Sequence, residues 1–400
     1  VKRSETGTVS STFMSHDRSG PRAEFKFYLN KIYMSWNPTG STWYEYDTTA
    51  LYRDCSGWYN IVCKVDTTES VDTDRLKIYV NGVSVAFSGT LPTLNFDTGW
   101  NVSGNVHAVG RYEAGANAYL DGVMSYVAFI DGTAYDASYF GQTDSDTGEW
   151  KINTSPSFTL GTNGFTILDN GDTITDQSSN SNDFTLAGGT LTNTEDCPAD
   201  VFNTMNPLDD YYSAGTFSNG NTTYVTGTNA TPNSSTIGVS KGKFYWEVKY
   251  VSKSAGLRYP MIGISSTQAT ATNQELGHFA NDWAFYASNV TPYYRNNNTN
   301  TSYGTLYTEG DIVCVALDAD NSKLYFRIND GSWENSGDPT SGATGTGAIS
   351  ITAPASTPLG AYFPTIGYYD SENGTFNANF GNGYFGTTAI ASEGTNASNI

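Results

Sequence analysis

The stretch of this chain that comes nearest to acid–base chemistry is Glu45-Tyr46-Asp47. Carboxylates two residues apart on a strand share one face, and glycoside hydrolysis needs two carboxyl groups flanking the scissile bond. A strand-borne retaining pair would read Glu-x-Asp-x-x-Glu, but position 50 is Ala50. Glu45 and Asp47 therefore read as a solvated strand face. Gly263-Ile264-Ser265-Ser266-Thr267 lacks the closing glycine of a nucleophile elbow. His16, His107 and His278 have no ligand spacing and read as loop or strand-surface residues. No Gly-rich loop ends in Lys-Ser/Thr, so phosphate has no cradle. The expectation is a chain without catalytic residues, metal ligands or cofactor.

Structural calcium is the alternative left open. Asp72 and Asp74, and Asp318, Asp320 and Asn321, set oxygens close together, and Asp169, Asp172 and Asp176 cluster. Hard cations want such oxygens, but the first two groups stand at hairpin ends, where Asp and Asn are ordinary turn formers.

Binding residues are better represented. Sugars stack on aromatic rings and are fixed by Asn, Asp and Arg hydrogen bonds. Trp43 and Tyr44, near Asp17 and Arg18, could supply this in the first third of the chain, with Tyr46 beside them. Tyr293, Tyr294, Arg295 and Tyr303 fall in an Asn/Thr-rich stretch over residues 287–305, read as a long polar loop. The competing reading is that these rings cover sheet faces or pack on a neighbouring subunit.

The elements that carry these residues are strands. LKIYVNGV (76–83) and LYFRINDG (324–331) are alternating runs that end in Asn-Gly or Asn-Asp-Gly. A period of two with branched and aromatic residues is a half-buried strand, and the ending is a turn that needs positive φ. IVCKVD precedes the first and IVCVALD the second, so the two read as equivalent hairpins. With 28 Tyr, 20 Phe and 41 Gly in 400 residues, and no stretch of sustained helical periodicity, the fold class is all-β. A strand apolar on both faces is expected over DGVMSYVAFIDG, in the middle of a sheet or between the sheet and a neighbouring layer.

Charge and cysteine narrow the partners. A net charge of −20 and a pI near 4.3 exclude nucleic acid as a general partner. No apolar run approaches the ~18 residues that insert in a bilayer. Cys63 and Cys314 lie in apolar strands, and four thiols without a framework suit assembly in a reducing cytoplasm.

Four pieces carry a resemblance in the last part of the chain: KGKFYWEVKY, MIGIS, GDIVCVALDADNSKLYFRINDG and LGAYFPTIGYYDSENGTFNANFG. In that order they resemble the SPRY family, which implies a bent two-sheet sandwich that binds partners through loops and has no catalytic chemistry. WYNIVCKVDTT, RLKIYVNGV and LDGVMSYVAFIDGTAYDASYFG resemble a laminin-G/concanavalin A-like lectin domain. The combination, with TNGFTI, NDFT and VFNTMNPLDD between, is similar to large structural proteins of tailed, often marine, bacteriophages.

The resulting expectation is two concanavalin A-like (jelly-roll) β-sandwiches in tandem, the second SPRY-like. The lectin-like domain covers 1–150, an ordered Asn/Thr/Gly-rich connector 151–213, the SPRY-like domain 214–388, and a lead into further sequence 389–400. The chain starts at Val1 inside what would be an early strand, so an N-terminal strand of the first sandwich is expected to lie outside it. The resemblance implies a virion protein assembled in the host cytoplasm and exposed on the particle, as a tail fibre or appendage. Its partners would be other virion proteins and a host-surface glycan or protein, with homo-oligomers, a trimer by analogy with fibres. A spacer that packs on neighbouring subunits and a polysaccharide depolymerase are the alternatives.

Overall fold

The alternation written in the sequence becomes two separately packed units in the computed structural model. It describes residues 1–7, 10–17, 22–113, 118–171, 173–210, 212, 215–254, 256, 258–369 and 372–390, with Asp17 described at its backbone only. One unit comprises Val1–Asn193 with Cys197–Val201, and the other Thr194–Asp196 with the chain from Phe202 onward. Among the described residues, helix is limited to three-residue 3-10 turns.

In the first unit a six-stranded antiparallel sheet runs in the order Val106–Val109, Ser11–Asp17, Arg22–Tyr28, Lys31–Asn37, Tyr44–Thr48, Phe87–Ser88. Its inner face sends Phe27, Ile32, Met34, Trp36 and Tyr46 against Leu76, Ile78 and Val80 of a three-stranded sheet. Burial along Leu76–Val80 alternates as the sequence requires, and the Asn81-Gly82 turn has φ 47° and 76°. That pair of positive φ values is what a two-residue hairpin demands.

The strand expected over DGVMSYVAFIDG is broken. Tyr126 takes φ 51° and its amide donates to the Leu168 carbonyl, leaving short strands at Gly122–Val123 and Val127–Phe129. Neither is central. Val127–Phe129 pairs with Phe165–Ile167, and Gly141–Thr143 with Trp150–Ile152. Of the stretch read from sequence as an ordered connector over 151–213, residues 151–193 pack within the first unit and the chain from Phe202 within the second. Among the described residues strand Ile61–Val65 pairs with Leu76–Val80 alone, and it is half-buried throughout. It lines an apolar groove of about 1410 Å³ with Phe96, Trp100, Met124 and Phe129.

The second unit is a sandwich of seven and six strands. Lys243–Lys253 lies central in the larger sheet, between Gly374–Asn379 and Ile312–Asp318. Pro260–Ser265 is central in the smaller, between Phe363–Tyr368 and Asp282–Ser288. One continuous core holds Trp246, Tyr250, Val315, Leu324 and Phe326 from the first face, and Ile262, Ile264, Phe285 and Ile366 from the second. Here the echoed phrase departs from its counterpart. Ile312–Asp318 and Lys323–Ile328 pair as Ile61–Val65 and Leu76–Val80 do, but no hairpin follows Asn329. The return partner is Ile349–Ser350, after a long connection. The two phrases are equivalent strand pairs with different exits.

Two buried titratable groups give the units opposite pH responses. His16 is buried on the core side of the sheet, directly across from His107 with ring centroids 5.3 Å apart, which corrects the surface reading of both. Burial, and then the neighbouring imidazole, lower its pKa from 6.5 to about 4. The fold keeps His16 neutral while the unfolded chain takes up a proton, so stability falls as pH drops from 6.5 through about 4. Asp282 is buried in the second unit and accepts from Ser265 Oγ at 2.7 Å. Burial raises its pKa from 3.8 to about 7, so its contribution is lost as pH rises across that window.

Two substitutions read these terms by difference. His16→Phe will flatten the pH dependence of thermal unfolding of the first unit between 6.5 and 4, whatever its baseline stability. Asp282→Asn will be more stable than the parent above the raised pKa of about 7, and the advantage will vanish below 3.8. Scanning calorimetry across pH checks both.

Candidate functional site

The outer face of the six-stranded sheet carries the polar complement of the core. Because side chains alternate, Ala23, Phe25 and Phe27 face inward and Glu24 and Lys26 outward. Register then brings residues from three strands together. Glu24 lies opposite Ser35 and Ser35 opposite Glu45, while Lys26 lies opposite Tyr33 and Tyr33 opposite Asp47. These two adjacent rows form one polar surface. Trp43 precedes the last of these strands by one residue, two positions from Glu45, and is 41% exposed.

Glu24, Lys26, Tyr33, Trp43, Glu45 and Tyr112 line an open pocket of about 450 Å³. Its wall comes from the chain after Val106–Val109, which folds back over the sheet edge. Ser15 Oγ donates to the Arg111 carbonyl at 2.9 Å and accepts from the Glu113 amide at 2.9 Å, and the Thr12 amide donates to the Ala118 carbonyl.

Glu24, Lys26, Tyr33 and Glu45 hold one another in pairs. Lys26 Nζ stands 2.9 Å from Glu24 Oε2, and 4.8 and 5.0 Å from the ring centroids of Tyr33 and Tyr28. Tyr33 donates its hydroxyl to Glu45 Oε1 at 2.7 Å. Burial, and then that bond, push the Tyr33 phenol far above its ordinary range, so it stays a donor. The second oxygen of Glu45 has no partner among the described residues, and Glu45 lines the open pocket. Fixed acceptors beside an exposed indole can orient a hydroxylated ring and stack its apolar face.

The candidates read from sequence separate here. Trp43 lines the pocket. Tyr44 points the other way and packs edge-on against Phe96 at 4.7 Å, and Tyr46 is fully buried in the core. Asp17 ends its strand opposite Arg22 and Val106, and Arg18 lies outside the described residues. Glu24, Lys26, Tyr33 and Tyr112 were not singled out in the sequence. Alternation of EFKFY marks Glu24 and Lys26 as one face, but their meeting with Glu45 is a matter of register.

In the second unit the expected polar loop over 287–305 is instead a hairpin. Strands Thr291–Asn296 and Thr299–Ser302 pair across Asn297 and Asn298, at φ 47° and 59°. Its residues have structural tasks. Tyr294 packs on the main core, and Tyr303 lies inside it, edge-on to Phe285. Tyr293 sits on the opposite face against Tyr286. Arg295 is buried against Glu275, donates to Asn300 Oδ1 at 2.8 Å and lies over the Tyr369 ring.

Four of the acidic residues considered for calcium, Asp74, Asp176, Asp318 and Asp320, accept from protein donors. Asp176 Oδ1 accepts from the Thr166 and Ser178 amides, and Oδ2 from Ser178 Oγ and the Asn182 amide. Asp318 holds both donors of Asn321, Asp320 caps the Gly242 amide, and Asp74 pairs with Lys77. Asp172 lies outside the described residues.

Because Tyr294 packs on the core, Tyr294→Ala will lower the stability of the second unit by about 2–3 kcal/mol. Denaturant unfolding followed by intrinsic fluorescence will register the loss.

Comparison with known proteins agrees with the two-sandwich geometry. Residues 1–138 match the concanavalin A-like lectin/glucanases superfamily, and residues 243–381 match the SPRY domain. Among solved structures, the SPRY domain of human HERC1 shares 14% identity at a TM-score of 0.34, over 44% of this chain and 98% of that one. The stonustoxin structure shares 19% identity at a TM-score of 0.32, over 44% of this chain and 27% of that one. No curated protein matches this chain. The chain therefore carries a concanavalin A-like lectin domain followed by a SPRY domain.

Proposed function

We propose that this chain is a non-enzymatic structural protein of a tailed bacteriophage particle, a tail fibre or appendage, whose lectin-like domain holds a host-surface glycan. The observation that carries the binding half is the pocket itself: an exposed Trp43 beside Glu24 and Glu45, whose orientations Lys26, Ser35 and Tyr33 fix. The ligand meets Glu24, Lys26, Tyr33 and Glu45 mounted on paired strands, so little ordering of these groups remains to oppose binding. The virion context rests on the order of motifs along the chain, the lectin-like domain preceding the SPRY domain. Many copies on one particle, as homo-oligomers, would turn weak single contacts into avidity.

A spacer role draws support from a different surface. Tyr245 is 47% exposed on the outer face of the seven-stranded sheet, with Arg327 5.8 Å from its ring and 5.2 Å from that of Trp333. Tyrosine, arginine and tryptophan together are the residues that anchor protein interfaces, and packing on another virion subunit is compatible with glycan binding elsewhere. Depolymerase chemistry is less well supported, because Glu24 is tied to Lys26 and Ser35.

The test is binding of the purified chain to glycans extracted from a host surface. The parent will bind saturably, and Trp43→Ala will weaken binding at least about tenfold, the loss of one stacking ring and its buried area. Reducing sugar will not accumulate. Absence of binding at high protein concentration, or full binding by Trp43→Ala, would remove the glycan reading and leave the spacer.

A further inference from the structure

Charge decides which sugar the pocket suits. Three carboxylates, Glu24, Glu45 and Asp47, share two adjacent rows of one face. The cation among the described lining residues is Lys26, and it is spent. It sits 2.9 Å from Glu24 and within about 5 Å of the Tyr28 and Tyr33 rings. Arg22, outward on the same strand, has an interaction of its own. An anionic sugar entering the pocket would meet carboxylates with no cation left to offset them.

Glu45 presents the opposite opportunity. Its Oε1 is taken by the Tyr33 hydroxyl at 2.7 Å, and its Oε2 is unpartnered among the described residues. Trp43, just ahead of that strand and two residues from Glu45, lines the same pocket and is 41% exposed. An unpaired carboxylate oxygen next to an exposed indole is a complement for an ammonium group, by ion pairing on one side and attraction to the ring face on the other. The chain's net charge of −20 draws cations toward every such opening.

From the Glu45 oxygen unpaired among the described residues, in a pocket that Trp43 also lines and whose cation among those residues, Lys26, is already paired, we infer that the preferred ligand is an amino sugar with its amine unmodified and protonated. This rests on the glycan reading above and narrows it. The sugar ring stacks on Trp43, its ammonium donates to Glu45, and its hydroxyls reach Glu24. Tyr33 positions Glu45 by holding one oxygen, which leaves the other aimed at the ligand.

The experiment compares three oligosaccharides of equal length with the whole chain, by calorimetry at mildly acidic pH and low salt: a glucosamine oligomer, its N-acetylated counterpart, and a uronic acid oligomer. The glucosamine oligomer will bind about tenfold tighter than the N-acetylated one, the combined size of an exposed ion pair and a cation–π contact. The uronic acid oligomer will bind weakest. Glu45→Gln, which keeps the Tyr33 bond, will bring the first two within about twofold of each other by removing the ion pair, with an unchanged circular dichroism spectrum. Equal binding of the amine and its acetylated form, or tighter binding of the uronic acid, overturns the amine preference while sensitivity to Trp43→Ala preserves the glycan reading. If the parent binds none of the three nor host glycans, or Trp43→Ala binds as the parent does, the glycan reading fails and the amine preference falls with it.

Discussion

A strand offers its side chains only two directions, and in the lectin-like domain one of them is claimed by the core. Trp36, Tyr46, Phe27 and Ile32 are fully buried on the inner face of the six-stranded sheet. Each such ring or branched chain contributes roughly 1.5–3 kcal/mol by leaving water. A slip of one residue would turn all of them outward, so the register of Arg22–Tyr28, Lys31–Asn37 and Tyr44–Thr48 is held by apolar burial. Glu24, Lys26, Tyr33 and Glu45 inherit that register on the reverse face. The precision of the polar pocket is a by-product of the packing beneath it.

This relation also explains what could be read from sequence. LKIYV, KLYFRI and EFKFY show their buried and exposed faces in one dimension, because period two is a property of a single strand. The two-sandwich fold was legible for that reason. The convergence of Glu24 with Glu45 was not, since the two meet only through Ser35 on the strand between them and nothing in any of the three strands states the offset. The hairpin over 291–302 was masked by composition. Its Asn-Asn turn carries the right signal, but Thr, Asn and Ser in Thr299–Ser302 resemble a loop, and all four residues are exposed. DGVMSYVAFIDG failed in the other direction, where apolar content suggested a central strand that positive φ at Tyr126 interrupts. His16 and His107 were misplaced because histidine is polar by reputation, and burial is set by their neighbours across the sheet.

The segment over 151–193 shows how a chain poor in long strands still packs. Asp176 gathers two backbone amides on one oxygen, and an amide and a hydroxyl on the other. Asn180 and Asn182 both donate to the Gly164 carbonyl. Short polar side chains here supply the hydrogen bonds that a ladder would otherwise provide. Phe165 and Ile167 are then free to bury against Val127–Phe129, with Phe184 edge-on to Phe165 at 4.7 Å. Density in Asn, Asp and Ser therefore marks ordered irregular structure, provided that apolar residues punctuate it.

Strand Ile61–Val65 is an edge strand, hydrogen-bonded along one edge among the described residues, and unlike the central strands of the main sheet it lines a broad groove along its whole length. Its neighbour Leu76–Val80 is paired on both edges and carries the buried Leu76 and Ile78. Cooperative opening starts where amides are least shielded and few apolar contacts must be broken. The lectin-like domain accordingly has a soft layer and a hard one. Amide protons along Ile61–Val65 exchange through local detachment of that strand, while the sheet bearing the Trp43 pocket stays intact.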